Sequence, residues 1–186
     1  MRVFISIDIN NDLKQKLSET QYQLTSLNCD IKWVEKENLH FTLKFIGEIN
    51  EIELRNIKLV LRKLLIDKLT FTISIENLGT FPEKQSPRII WAGVNKGKDQ
   101  LCFLSKIIND ELEKIGIKRE AREFIPHLTL GRIRSKYNID KLTTKINEIS
   151  NSYFGESVVN KIILMQSILT QKGPIYTSIE EYNLCE

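Results

Sequence analysis

Two tetrapeptides with one pattern, His40-Phe41-Thr42-Leu43 and His127-Leu128-Thr129-Leu130, contain both histidines of this 186-residue chain. Their separation is close to half the chain length, which points to an internal duplication. Leu39 to Ile46 and the stretch from His127 to Leu130 read as strands, ended by Gly47 and Gly131. Side chains alternate along a strand, so His40 and Thr42 project from one face about 7 Å apart, with Phe41 and Leu43 behind them. His127 and Thr129 stand in the same relation to Leu128 and Leu130. Apolar backs anchor each strand to its own lobe, while the polar fronts meet across a cleft.

Outward from the two motifs, the order of elements repeats. In the first half, residues 3–9 read as a strand, and 11–27 as a helix with Leu13, Leu17, Leu24 and Leu27 on one stripe. Ile31 to Val34 is a short strand, 51–66 a second helix, and 69–78 a strand. In the second half, 89–94 is a strand and 98–115 a helix. A short strand near Arg122-Glu123-Phe124 precedes the second histidine strand. A helix near 138–149 and strands near 157–169 and 175–183 follow. This order predicts a bilobal α+β protein with pseudo-twofold symmetry, each lobe an antiparallel sheet with helices packed outside and the active-site cleft between lobes. The whole chain, 1–186, reads as one domain built of repeats at about 1–80 and 88–186. Pro82 and Pro87 flank a polar connector near 81–87.

Composition is that of an ordinary globular protein, 41% hydrophobic and 27% charged. Cys29, Cys102 and Cys185 are odd in number and widely spaced, so neither a disulfide framework nor a zinc ribbon is supported, and a reducing cytoplasm is the expected location. The alternating N-terminal segment Met1 to Asp8 suits a strand and not a signal peptide. No apolar run approaches the ~18 residues of a membrane helix. The net charge of +3 alone does not mark a nucleic-acid binder. From Lys118 to Lys136, however, six basic residues oppose Glu120 and Glu123 and bracket His127. Beside an acid–base histidine, Arg132, Arg134 and Lys136 read as a phosphate-attracting rim.

Histidine titrates near neutrality, so a matched pair is an acid–base couple. Two histidines on opposite sides of a phosphorus can deprotonate a nucleophile and protonate the departing oxygen, and two threonine hydroxyls can donate to non-bridging oxygens. Neither tetrapeptide carries the extra His, Cys or carboxylate at ligand spacing that metal binding needs, so neither a metal nor a cofactor is expected. Phe4, Phe45 and Trp91 are candidates to stack on a base, with a place in the core as the competing reading. Arg132 follows the second motif at an odd offset from His127 and Thr129. On a regular strand it therefore lies on the other face, either as an exposed strand-end arginine or reaching phosphate from the cleft edge.

These residues resemble the 2H phosphoesterases, a family with His-x-Thr/Ser motifs in duplicated lobes. Within it they resemble the RNA 2′,3′-cyclic phosphodiesterases, historically called 2′-5′ RNA ligases. The resemblance runs through Arg2 to Asp8, His40 to Glu48, Arg88 to Val94, Phe124 to Arg132 and Gly173 to Tyr176. It implies metal-free hydrolysis of a terminal 2′,3′-cyclic phosphate to a 2′-phosphomonoester, with water attacking phosphorus and the 3′ oxygen leaving. It also implies His40 as proton donor, His127 as proton acceptor, and Thr42 and Thr129 holding phosphate oxygens. The order of the two histidines rests on the resemblance alone. Run backwards, the same site joins a 2′-phosphate-type end to a 5′-hydroxyl, which accounts for the ligase name. The implied partner is RNA with cyclic phosphate ends, such as tRNA fragments, with no membrane and no obligate protein partner. Phosphoesterase action on a small cyclic nucleotide or an ADP-ribose cyclic phosphate is the alternative within the same chemistry. An RNA-binding module with vestigial histidines is opposed by two intact His-x-Thr pairs. Neither a P-loop nor a Rossmann glycine fingerprint occurs.

Overall fold

The computed structural model describes residues 1–82, 86–120, 122–171 and 173–186. Four helices and nine strands alternate along it: β1 (Arg2–Asp8), α1 (Asn11–Thr25), β2 (Ile31–Trp33), β3 (His40–Glu48), α2 (Glu51–Leu65), β4 (Phe71–Phe81), β5 (Ile89–Val94), α3 (Lys98–Glu113), β6 (His127–Ile133), α4 (Ile139–Glu148), β7 (Tyr153–Val159), β8 (Lys161–Leu169) and β9 (Pro174–Asn183). Local chemistry sets the helix starts. The Asn10 side chain accepts from the Leu13 amide at 2.9 Å, and Asn50 with Glu53 closes a reciprocal capping box. The buried stripes, Leu13, Leu17 and Leu24 on α1 and Ile57, Leu61 and Leu65 on α2, recur at helical spacing.

The strands form one antiparallel sheet in the order β7-β4-β5-β6-β3-β1-β8-β9, with β2 paired to β6. Its midline is the junction of the two histidine strands, where Phe41 pairs with Leu128. On either side the strands match as mirror partners: β3 with β6, β1 with β5, β8 with β4, and β9 with β7. The expected duplication is therefore visible in the sheet, but each half of the sheet draws on both halves of the chain. β4 crosses over to pair with β5, and β8 and β9 return to β1. The helices cross too: α1, which follows β1, packs on β6 and β7, while α3, which follows β5, packs on β3. Only Asn160 separates β7 from β8, although they lie toward opposite ends of the sheet, so the sheet must curl.

Between the sheet and the helices lies a continuous core of fully buried side chains that includes Ile5, Leu17, Phe41, Leu61, Leu101 and Leu128. The opposite face of the sheet is left open as a cleft whose lining includes no residue of α1–α4. The three thiols of Cys29, Cys102 and Cys185 are free, and no described helix is long and apolar enough to cross a membrane.

Three expectations are corrected. The histidine strands run through Gly47 and Gly131 instead of stopping there. The stretch 157–169 is not one strand but parts of β7 and β8, which pair with β4 and β1 respectively. Arg122-Glu123-Phe124 forms no strand. The nearby Phe45 amide donates instead to the Glu120 carboxylate at 3.3 Å, and Pro126 has no amide to offer a ladder. Residues 83–85 of the expected connector lie outside the described residues.

Bulges in the histidine strands change which side chains reach the cleft. On β3 the register steps from Thr42 opposite Ser6 to Lys44 opposite Ile5, so Leu43 is the extra residue. Lys44 is thereby turned into the core, where its Nζ donates to Asn109 Oδ1 at 2.6 Å and to the Lys118 carbonyl at 2.9 Å. Phe45 turns into the cleft. On β6 the register steps from Thr129 opposite Trp91 to Gly131 opposite Ile90, with Leu130 as the extra residue. Each extra residue's carbonyl is taken up by a buried side chain of the helix that crosses behind it. Ser105 Oγ donates to Leu43 and Gln21 Nε2 to Leu130, both at 2.8 Å. The Leu130 carbonyl also accepts from the Val34 amide at 2.9 Å, so both bulge carbonyls are hydrogen-bonded in the interior.

Phe41 and Phe45 test this division of faces. Truncating the fully buried Phe41 to Ala should cost about 3–5 kcal/mol, whereas Phe45→Ala, which loses only an exposed contact with Arg2, should cost about 1 kcal/mol or less. Urea unfolding of the two variants measures the difference. Equal losses would contradict the bulge.

Candidate active site

The register at the midline sets the site. With Phe41 opposite Leu128 on antiparallel strands, the neighbouring positions face each other crosswise, His40 with Thr129 and Thr42 with His127. All four side chains line the same cleft, of about 580 Å³. A twofold arrangement of two imidazoles and two hydroxyls around one space thus follows from a single strand pairing.

Both rings are anchored alike. Nδ1 of His40 lies 2.7 Å from the Asn38 carbonyl, and Nδ1 of His127 lies 2.8 Å from the Ile125 carbonyl, each two residues upstream. A carbonyl only accepts, so each Nδ1 carries the proton and each Nε2 is left for the cleft. His40 Nε2 meets Thr42 Oγ1 at 3.1 Å. The surroundings differ. His40 packs between Phe4 and Tyr176, with ring centroids 5.1 and 5.3 Å away, and Phe4 and Tyr176 touch each other at 5.0 Å. Desolvation in this aromatic pocket pushes the His40 pKa below the usual imidazole value, against the raising effects of the Asn38 carbonyl and of Asp8. His127 has one aromatic neighbour, Phe81, edge-on at 5.2 Å.

The other residues singled out in the sequence divide into two groups. Phe4 is 3% exposed, a buried side chain that packs beneath His40 at the floor of the cleft. Phe45 lines the cleft 40% exposed, with the Arg2 guanidinium 4.7 Å above its ring. Arg132 also lines it. The Leu130 bulge returns Arg132 to the side of His127 and Thr129, which corrects the expectation from simple alternation. Trp91 does not line the cleft: its ring stacks on Phe81 at 5.1 Å and covers Gly79, where a Cβ would lie within 2.3 Å of it. Arg134 and Lys136 lie beyond the end of β6, exposed and outside the lining.

Sequence reasoning missed Arg2, Lys32, Trp33, Ser167 and Tyr176, which reach the cleft from further strands. It also missed the two anchoring carbonyls, although the common spacing of Asn38 and Ile125 from the histidines was there to be read. Among the described residues no group of three or more His, Cys, Asp or Glu is placed to hold a metal ion. The arrangement supplies two Nε2 atoms, two hydroxyls, guanidinium groups and aromatic rings around one space, which suits proton transfer at a phosphate ester.

Comparison with known proteins agrees with this geometry. The chain is 39% identical over 184 residues to the RNA 2′,3′-cyclic phosphodiesterase of Methanothermobacter thermautotrophicus, covering 99% of both chains. It is 38% identical over 182 residues to the protein of that name from Methanocaldococcus jannaschii, covering 98% of this chain and all of the other. A solved structure from Thermus thermophilus superposes with a TM-score of 0.84 at 25% identity, covering 99% of this chain and 98% of the other. Escherichia coli LigT, solved with 3′-AMP, shares the fold with a TM-score of 0.81 at 21% identity, covering 100% and 98%. Residues 7–91 and 93–176 each match the family described as LigT like phosphoesterase, so the chain, with one copy of the pattern in each half, belongs to that family.

Proposed function

We propose that this protein hydrolyses 2′,3′-cyclic phosphodiester ends of RNA to 2′-phosphomonoesters by acid–base catalysis between its two histidines. The observation that carries this reading is the convergence of both His-x-Thr faces on one cleft, with each Nε2 freed by a backbone carbonyl at Nδ1. The names of the full-length relatives support the choice of substrate.

In this mechanism His127 Nε2 takes a proton from water as the water oxygen bonds to phosphorus. The bond from phosphorus to the 3′ oxygen breaks, and that oxygen receives the Nε2 proton of the His40 imidazolium, the charged form that the bound phosphate anion favours. Burial that lowers the His40 pKa makes its imidazolium a stronger acid toward the departing alkoxide, while the Asn38 carbonyl holds the ring in line. Thr42 and Thr129 donate to the non-bridging oxygens, and Arg132 attracts the phosphate. Phe45, braced by Arg2, offers a face for a base. Arg134 and Lys136 add longer-range attraction from outside the cleft. Every proton is donated or accepted by a side chain of this protein, so no step requires a metal ion. With a 5′-hydroxyl in place of water the same transfer joins two RNA ends through a 2′-5′ linkage. The free thiols suit a reducing cytoplasm.

His40→Ala and His127→Ala should each lower kcat by about 100- to 10,000-fold while remaining folded. Wild-type turnover should survive EDTA, and the product should carry phosphate on the 2′ oxygen alone, because only one ester oxygen can point at the acid. Near-normal turnover by either variant, loss on chelation, or mixed 2′ and 3′ products would contradict the mechanism. Oligonucleotide cyclic phosphates are the test substrates, with products separated by chromatography.

Arg132→Ala should raise KM more than Arg134→Ala or Lys136→Ala, because only Arg132 lines the cleft. Its kcat should fall less than that of the histidine variants. An Arg132→Ala variant with unchanged KM and kcat as low as His127→Ala would place the guanidinium in the transition state instead.

The depressed pKa of His40 also predicts a pH effect on stability. Well above the ordinary imidazole value of ~6.5 the ring is neutral in the substrate-free folded protein and in the unfolded chain alike, so it contributes no pH dependence there. Below about 6.5 the unfolded chain binds a proton that the folded protein resists, so wild type should lose stability relative to His40→Gln until the lowered folded pKa is passed. Parallel stability curves for the two proteins between pH 7 and 5 would refute the burial effect.

A further inference from the structure

The cleft holds a second group of positive charge, of which the two-histidine chemistry uses only the attraction of Arg132 for phosphate. Lys32 of β2 and Arg132 of β6 are directly opposed partners on antiparallel strands, and both line the cleft. Opposed residues share a face with Cβ atoms about 5 Å apart, where like charges destabilise the sheet. No other part of the described protein neutralises them. Neither cation forms an ion pair among the described residues. Glu35, the one carboxylate among the lining residues, accepts from Asn38 Nδ2 at 3.4 Å instead. The Lys32 ammonium sits under the turn between β8 and β9, where a Cβ built on Gly173 would lie 3.4 Å from its Nζ. Gly173 has a φ of +148°, a conformation side chains rarely adopt, so the turn keeps open backbone beside the cation.

Position makes this pair a candidate for a second anion. Thr129 and Arg132 oppose Trp91 and Ile89 on β5, two ladder positions apart, which is about 7 Å. One nucleotide unit bridges such a step from phosphate to phosphate. Resting on the function proposed above, we infer that Lys32 and Arg132 form a subsite for the phosphate on the 5′ side of the terminal nucleotide. That phosphate is held there while the cyclic phosphate lies between the histidines. The subsite makes the cleft select a nucleotide within a chain, or one with a 5′-phosphate, over a bare nucleoside.

Binding of two product analogues to wild type and Lys32→Gln, followed by calorimetry, tests the subsite apart from turnover. Wild type should bind adenosine 2′,5′-bisphosphate roughly tenfold or more tighter than adenosine 2′-monophosphate, the scale of one hydrogen bond to a charged group. In Lys32→Gln, with Arg132 still in place, that ratio should fall severalfold, and Lys32→Arg should restore most of it. Equal affinities in wild type, or a ratio that survives Lys32→Gln, would overturn the subsite. Hydrolysis of adenosine 2′,3′-cyclic phosphate with and without a 5′-phosphate reads the catalytic proposal separately. If neither is cleaved while the binding ratio still depends on Lys32, the catalytic reading fails and the subsite stands.

Discussion

The pairing of Phe41 with Leu128 is the contact on which the site depends. It is the one recorded pairing between β3 and β6, and it joins the two halves of the sheet. Its side chains point into the shared core, both fully buried, and the large apolar area they remove from water holds the midline. Because strand faces alternate, fixing these two residues toward the core necessarily presents His40, Thr42, His127 and Thr129 to the cleft. A slip of one residue would send the motif to the wrong side, so packing of the core and construction of the site are one constraint.

Exchange of elements between halves strengthens that joint. Had each sequence repeat folded as its own lobe, a single strand pair would have linked two bodies free to hinge. Instead α1 packs on β6 and β7, α3 packs on β3, β4 joins β5, and β8 returns to β1. Gln21 and Ser105, each on a crossing helix, satisfy the bulge carbonyls of the opposite half's histidine strand. The histidines therefore sit on a floor braced from both halves of the chain, as the proposed acid–base mechanism requires. Within this symmetry the two rings have unequal surroundings: Phe4 and Tyr176 enclose His40, while His127 meets only Phe81. Burial in that aromatic pocket lowers the His40 pKa, an asymmetry that the proposed acid–base mechanism uses.

Much of this was legible in the chain. The strand character of both histidine segments, their polar fronts and apolar backs, all four helices and the duplicated order follow from periodicity. Arg132 was misplaced because alternation has no way to register a bulge: Leu130 adds one residue to β6, and its carbonyl is met by the Val34 amide and by a Gln21 side chain 109 positions distant. The Arg122-Glu123-Phe124 segment looked like a strand, but strand formation needs a partner, and the Glu120 side chain had taken the Phe45 amide. Trp91 carried the composition of a stacking residue, yet its packing over Gly79 and Phe81 depends on the register of the neighbouring strand β4.

What the sequence determined by itself is the local alternation that gives each histidine a threonine on its own face, since the two-residue repeat of a strand is a property of the backbone. The tertiary structure alone decided that the two faces meet, that Lys32 stands opposite Arg132, and that Tyr176 closes over His40. These depend on strand register and on the curl of the sheet. Both are set by the summed burial of many distant side chains, a quantity that no short stretch of sequence contains.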